Sequence, residues 1–217
     1  MKNKLKPVFA VFDFDNTCIT NDIEEATLDY MATNNLFKDK KLLGSAFKKY
    51  YKLLDSGKVK EAYEFCAKIL SGFSVDEVAP LVEKVLKFKK DLKPRKQVIE
   101  LINFLKNNGV DVWVVSASAE VLVKIALKYF GIEANVIGVR NIIVDGKITS
   151  ELEKPLSVFE GKVECIKKFI DKEACPLLGV GDSINDLAML EYCNIKVVVD
   201  RANDLTKIAK QNNWFLI

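Results

Sequence analysis

Residues 8–17 read VFAVFDFDNT, and the fold turns on this stretch. Val8 to Phe12 are all apolar and mostly β-branched or aromatic. Such a run reads as a strand buried on both faces, the kind found in a parallel sheet covered by helices. It stops abruptly in Asp13-Phe14-Asp15-Asn16-Thr17. A buried strand that emerges into two carboxylates delivers them to the rim of the sheet, and in open parallel sheets ligands bind beyond the carboxyl ends of the strands. The residues just past the end of each other strand are therefore the informative ones.

From about Asp22 to Asp91 the pattern changes to helix formers with a period near 3.6, as in EEATLDYMATNNLF, KLLGSAFKKYYKLL, VKEAYEFCAKIL and VDEVAPLVEKVLKF. Asn21, Ser56-Gly57, Ser71-Gly72 and Ser74 punctuate them as caps and turns. After Pro94, strands and helices alternate. An amphipathic helix ends at Gly109, VDVWVVS is a strand, SAEVLVKIALKYFG a helix, and NVIGVRNIIVDGKITSEL a pair of strands about an Asp145-Gly146 turn. Then come helix GKVECIKKFIDK, strand PLLGVG, helix INDLAMLEYC, strand IKVVVD, a short helix and a terminal NWFLI strand. Alternation of this kind predicts an α/β fold, a Rossmann-like three-layer core with a parallel sheet. The boundaries predict that core over residues 1–20 and 93–217, with a small helical cap over 21–92 inserted after the first strand.

Composition narrows the chemistry. The chain has 217 residues, is 49% hydrophobic and carries a net charge of +3 from charges of both signs spread along its length. No electrostatic footprint for nucleic acid results. Lys84, Lys87, Lys89 and Lys90 fall at helical spacing and read as a solvated face. No apolar run approaches the roughly 18 residues of a membrane span. The opening MKNKLKP begins like a secretory signal, but the apolar stretch after it is short and ends in carboxylates rather than a cleavage site. A cytoplasmic protein is expected, monomeric or homodimeric. Cys18, Cys66, Cys165, Cys175 and Cys193 are odd in number and widely spaced, which suits reduced thiols.

The chain contains no histidine. Ser-His-Asp hydrolysis, Cys-His chemistry and phosphohistidine transfer each lose a required group. Imidazole zinc sites go with them, and no Cys-x-x-Cys pair offers a thiolate substitute. No cysteine is followed six positions later by arginine, which disfavours cysteine phosphatases. Gly161-Lys162 lacks the rest of a P-loop, and Gly179-Val180-Gly181 lacks the third glycine of a dinucleotide fingerprint. Carboxylates, lysines, hydroxyls and a metal remain.

The strand ends supply those groups. The first strand ends in Asp13 and Asp15, and the second in Ser116-Ala117-Ser118. PLLGVG ends in Asp182-Ser183-Ile184-Asn185-Asp186, while Lys162 opens the helix before it. Ser118 by itself reads as an N-cap, Asp182 or Ser183 fits a helix cap, and a lone lysine reads as a surface residue. Four such pieces in order, each at a strand end or helix start, are not what those readings predict. Phosphoryl transfer needs this set, because its loose, highly charged transition state is stabilised by alignment and neutralisation. A carboxylate can serve as nucleophile, with a hard divalent cation and a lysine screening its approach to a phosphate dianion.

These pieces resemble the four motifs of haloacid dehalogenase-like phosphatases, most closely the phosphoserine phosphatase-like branch, and the resemblance spans nearly the whole chain. It implies that Asp13 is the nucleophile and a magnesium ligand. It makes Asp15 the general acid, then the base, and a magnesium ligand through its backbone carbonyl. Ser116 and Lys162 would hold phosphoryl oxygens, Asn185 would lie near the phosphate, and Asp182 would bind Mg2+ with Asp186 supporting it. Dehalogenases of this superfamily lack the second acid and its ion-pumping ATPases carry Lys-Thr after the nucleophile, so Asp15 favours a phosphatase.

Specificity is expected in the cap. Phosphoserine phosphatases resemble the chain at Asn21-Asp22, where the family carries an acid for the substrate ammonium. They also use a cap arginine for the carboxylate, whereas Arg95, Arg140 and Arg201 all lie outside residues 21–92. Lys68 could substitute, without the bidentate fork. The aromatics of that region read mainly as its own core. Together with Asp22, Glu24 and Glu25 they would also suit a cationic leaving group. DFDNTCITNDIEEA, VVSAS and EGKVECI resemble phosphocholine phosphatase-like members of the branch. A small phosphomonoester of the phosphocholine or phosphoethanolamine type is therefore expected, with Asp22 and Glu25 as specificity residues. The alternatives are phosphoserine, a phosphomutase, or, outside catalysis, a receiver-like switch or phospho-ligand binder.

Overall fold

A computed structural model of the protein describes residues 8–217; the signal-like opening segment lies outside the described residues. The apolar run does form a strand, β1 (Phe9–Phe12), with all four residues buried. It lies inside a sheet of β2 (Asp111–Ala119), β3 (Asn135–Val139), β6 (Leu178–Gly181), β7 (Ile195–Val198) and β8 (Phe215–Leu216). The order is β3-β2-β1-β6-β7-β8, and every neighbouring pair is parallel. Chain order therefore diverges to either side of β1, which makes its carboxyl end the topological switch point where such sheets bind ligands.

Alternation along β1 creates the layers. Phe9 and Val11 face a cluster with Val115, Ile137, Cys165, Ile166 and Met189. Ala10 and Phe12 face the opposite cluster with Val112, Val114, Ile102 and Leu122. Helices α5 (Lys96–Asn107) and α6 (Glu120–Phe130) cover this second face, and α7 (Gly161–Phe169) and α8 (Leu187–Tyr192) the first. Gly131 closes α6 at φ 67°, a left-handed position that glycine adopts without strain. Helix α9 (Asp204–Gln211) packs against β7 and β8 through Leu205 and Ala209.

Between β1 and α5 stand α1 (Ile23–Thr33), α2 (Ala46–Asp55), α3 (Val59–Lys68) and α4 (Val75–Phe88). Ser74 and Glu77 cap α4 reciprocally, fixing its start. The chain leaves and returns at one place. Thr20 N donates to the Lys93 carbonyl and Arg95 N to that of Cys18, both at 2.8 Å, so residues 18–20 and 93–95 run as a short antiparallel pair. Phe37, Tyr50, Phe65 and Phe73 are buried, as a core reading of the aromatics predicts. Phe47, by contrast, is 40% exposed and packs on Tyr51. Lys68 pairs with Glu64, and of the basic stretch Lys89 pairs with Asp29.

Strands β4 (Asn141–Val144) and β5 (Lys147–Leu152) form the expected hairpin, with Asp145 at φ 48° and Gly146 at φ 73° in its turn. They make a separate two-stranded sheet that docks on α3 and the segment joining it to α4. Ile148 N donates to the Phe73 carbonyl and Gly72 N to that of Ile148, both at 2.8 Å. The five cysteines are free thiols, four of them buried. Among the described residues no helix is long and apolar enough to cross a membrane.

Candidate active site

Asp13 continues the β1 ladder by donating its N–H to the Val180 carbonyl at 2.8 Å. The chain then coils through Phe14–Cys18, with Asp15 extended and Asn16 at φ 57°, a left-handed position that asparagine tolerates. Two contacts hold the coil. Cys18 Sγ lies 3.1 Å from the Asp13 carbonyl, and Arg95 Nη2 donates to the Asn16 carbonyl at 3.2 Å. Asp13 is thereby presented at the switch point, beside α7 and the end of β6.

Lys162 is wholly buried, its Nζ 2.7 Å from Asp13 Oδ1 and 2.6 Å from Asp186 Oδ1. Its helix starts at Gly161, where an added Cβ would fall 1.9 Å from the Leu156 carbonyl oxygen, so only glycine lets the chain pass. The other oxygen of Asp186 accepts from the Asp182 and Ser183 amides at 3.0 and 3.1 Å. Gly181 leaves room for it, since a Cβ there would meet the Asp186 Cβ at 2.6 Å. Asp182 accepts from Arg201 Nη1 at 2.7 Å and from the Thr17 hydroxyl at 3.3 Å. Three acids thus face two cations.

Asp15 sits beside this cluster in a different setting. Its Oδ1 accepts from Ile23 N at 2.7 Å, and its Oδ2 from Ser118 Oγ at 2.7 Å and Ser116 Oγ at 3.2 Å. Ser118 therefore binds Asp15 instead of capping α6. Residue 119 occupies the cap position, and the hydroxyl of a residue still in the strand points to the rim. Asn185 is half placed as expected. Its Oδ1 accepts from Phe159 N at 2.7 Å and so steadies the loop leading to Lys162, leaving Nδ2 for a ligand.

The electrostatics follow from burial among like charges. Burial and Asp186 push the Asp13 carboxyl up to about 8 in spite of Lys162. Asp15 is held well above the usual carboxylate range by burial, Asp22 and Asp13. Burial and Asp186 lift Asp182 to about 6 against the pull of Arg201. Lys162 is pulled down by burial, but Asp13 and Asp186 more than restore its charge.

Carboxylate oxygens of Asp13, Asp182 and Asp186 come within 4.8 Å of one another. An all-oxygen, net negative set suits a hard divalent cation. Both oxygens of Asp186 are held by protein donors at 2.6–3.1 Å, whereas Asp13 is held through Oδ1 and Asp182 Oδ1 takes only the 3.3 Å bond from Thr17, so Asp13 Oδ2 and Asp182 Oδ1 are the freer oxygens. Asp22 and Glu25 lie apart from this cluster. Asp22 caps α1 by accepting from Glu25 N at 2.8 Å, and Glu25 accepts from the Tyr51 hydroxyl. Both line a cleft of about 420 Å3 together with Asp29, Phe47, Lys89 and Arg201. Sequence reasoning passed over Arg201, although it stands just beyond β7, where the same look at strand ends would have found it. It also left Glu24 among the cap acids generally; this side chain is buried, accepts from Ala119 N at 3.1 Å and keeps Oε2 without a partner.

Residues 10–191 match the family model of haloacid dehalogenase-like hydrolases. The phosphorylcholine phosphatase of Pseudomonas aeruginosa is 28% identical, over 83% of this chain and 70% of its own. The phosphoserine phosphatase of Methanocaldococcus jannaschii is 29% identical, over 91% and 86%. In three dimensions, a Bordetella pertussis Tohama I protein of unknown function superposes with TM-score 0.83 at 21% identity, covering 98% of this chain and 99% of that one. A phosphoserine phosphatase carrying a phospho-aspartyl intermediate analogue superposes with TM-score 0.64 at 24% identity, covering 98% and 94%.

Proposed function

This chain belongs to the haloacid dehalogenase-like hydrolases, as a phosphoric monoester hydrolase, and on that premise we propose that it passes the phosphoryl group of a small ester through Asp13 to water. The observation that carries the reading is the pairing of Asp13 with a wholly buried Lys162 at 2.7 Å, beside Asp15 held by two serine hydroxyls.

Asp13 attacks phosphorus and the P–O bond to the alcohol breaks. Asp15, kept neutral by burial among acids, gives its proton to the departing oxygen. The resulting carboxylate then takes a proton from water as that water attacks phosphorus, which frees Asp13 and restores neutral Asp15. Lys162 holds a phosphoryl oxygen. Ser116 turns its hydroxyl from Asp15 to another, and Asn185 offers Nδ2. Asp13, Asp182 and the Asp15 carbonyl would hold Mg2+, with Asp186 bracing them. The ion would supply positive charge against the phosphate dianion. Residues 1–20 and 93–217 act as the catalytic core, and 21–92 as a cap that shuts out water. The buried free thiols fit a cytoplasmic protein.

For the leaving group we favour a choline- or ethanolamine-type cation, met by Asp22 and Glu25. Acid and aromatic groups share the cleft, and the P. aeruginosa relative is a phosphorylcholine phosphatase. Phosphoserine is the second reading. It is favoured by Arg201, which brings a guanidinium from the core into the cleft that holds Asp22, where residues 21–92 offer none. The test is phosphate release with Mg2+ from phosphocholine, phosphoethanolamine and phosphoserine side by side, with Asp13→Asn as control. Preference for the first two supports the cationic reading, and preference for phosphoserine replaces it. No release from any phosphomonoester, or an undiminished rate in Asp13→Asn, overturns the function.

A further inference from the structure

We propose that Arg201 is a resident counter-ion of the acid cluster, one that a divalent cation must displace from Asp182, and that it thereby sets the affinity of the site for metal. The inference rests on the reading of Asp13 and Asp182 as metal ligands.

The cluster holds two cations of different character. Lys162 is wholly buried between two carboxylates and has no other place to go. Arg201 comes from the loop after β7, and its side chain is 41% exposed while its partner Asp182 is 5% exposed. Its backbone is fixed by the bond from its N–H to the Thr206 hydroxyl at 3.2 Å, but the guanidinium is tethered through Nη1 to Asp182 Oδ2. The backbone carbonyl of Asp182 is held independently by Asn203 Nδ2 at 2.7 Å, so the main chain there does not depend on the guanidinium.

Arg201 takes the better oxygen of Asp182. The other accepts only a 3.3 Å bond from Thr17. A divalent ion on Asp182 and a guanidinium 2.7 Å from the same carboxylate repel each other, so the two compete for it. The guanidinium has somewhere to go, because it already lines the cleft that carries Asp22, Glu25 and Asp29. Without metal, Arg201 neutralises a buried acid that would otherwise weaken the fold. With metal, it becomes a cation at the mouth of the leaving-group cleft. One residue thus links the state of the metal site to the charge of that cleft.

The test is calorimetric titration of Mn2+ into metal-free wild type, Arg201→Gln and Arg201→Lys, with melting temperatures taken in parallel. The exposed position makes both variants compatible with folding. Arg201→Gln is expected to bind Mn2+ about two- to fivefold more tightly, the range for losing one partly exposed ion pair. Arg201→Lys should fall between it and wild type. Metal-free Arg201→Gln should melt below wild type, and the gap should close at saturating Mn2+. Unchanged or weaker Mn2+ binding in Arg201→Gln overturns the proposal, since a residue that only supports a metal ligand gives that result. Wild type that binds no Mn2+ would instead remove the metal reading itself.

Discussion

Asp13 and Asp15 share one loop, yet their surroundings give them different work. Asp13 faces Lys162, a cation that opposes the upward pull of burial on its carboxyl, whereas Asp15 is held by hydroxyls and one amide among other acids. Replacing Asp13 with Asn should leave the fold intact and lower phosphate release by at least about 10^4-fold, as loss of a covalent nucleophile does. Asp15→Asn should lower kcat by roughly 10^2–10^4-fold, the worth of a positioned acid–base group, and slow the breakdown of trapped phosphoenzyme in rapid-quench experiments. Equal rates of breakdown in Asp15→Asn and wild type would remove its role as base. Lys162→Ala leaves Asp13 and Asp186 buried without their cation. It should destabilise the metal-free protein by about 3–5 kcal/mol in urea unfolding. Adding Asp13→Asn should recover part of that loss, because the two residues share one ion pair.

At the scale of elements, α1 begins at Asp22, the acid proposed to meet the substrate's charge. Burial pushes Asp22 up to about 6, against the Glu25 amide bond that favours its anion. Since the folded value lies above the ordinary one, the contribution to stability is complete at low pH and is lost as pH rises through about 6. Binding of a cationic leaving group runs the other way, because it needs the anion. The KM for phosphocholine should therefore fall as pH rises through about 6. In Asp22→Asn it should be roughly tenfold higher at neutral pH, about 1.4 kcal/mol, and lack that inflection. Asparagine caps a helix as well as aspartate, so the change tests charge rather than folding. A KM that titrates unchanged in Asp22→Asn would assign the inflection to another group. The same elements show what a sequence reveals. Buried strands announce themselves by composition, so the order of strand ends, and with it Asp13, Ser116, Lys162 and Asp182, was readable. Ser118 looked like a cap because local pattern does not show that the strand runs three residues further, to Ala119. Asn185 makes its contact 26 residues away in sequence, which no local pattern records, and although the place of Arg201 after β7 was readable, its pairing with an acid 19 residues away was not.

At the scale of the molecule, beside the apolar packing of α1 and α4 on α6, two kinds of polar contact join the helices of residues 23–88 to the rest, and they should separate when substrate comes and goes. The first kind is on the hairpin side. Gly72 N donates to the Ile148 carbonyl and Ile148 N to that of Phe73, Asn141 Nδ2 donates to the Ala67 carbonyl at 2.9 Å, and Lys154 pairs with Glu64 at 3.1 Å. The second kind crosses the reaction site, where Ile23 N donates to Asp15 and Ala119 N to Glu24. The bonds at Gly72 and Ile148 tie backbone to backbone, and all of the first kind lie away from the acids of the site and are satisfied whatever occupies it. Those of the second end on carboxyl groups at the site, of which Asp15 would change charge during catalysis. If the helices open to admit substrate, the inexpensive motion flexes the paired segments 18–20 and 93–95 and breaks the second set, while the hairpin travels with the helices. Hydrogen exchange should then find the Ala119 and Ile23 amides poorly protected in the free enzyme and slowed when orthovanadate and Mg2+ occupy the site. The Gly72 and Ile148 amides should exchange slowly in both states. Exchange of Gly72 and Ile148 that rises and falls together with Ala119 would show the hairpin staying with the sheet, and the opening motion would then have to be redrawn around residues 72–74.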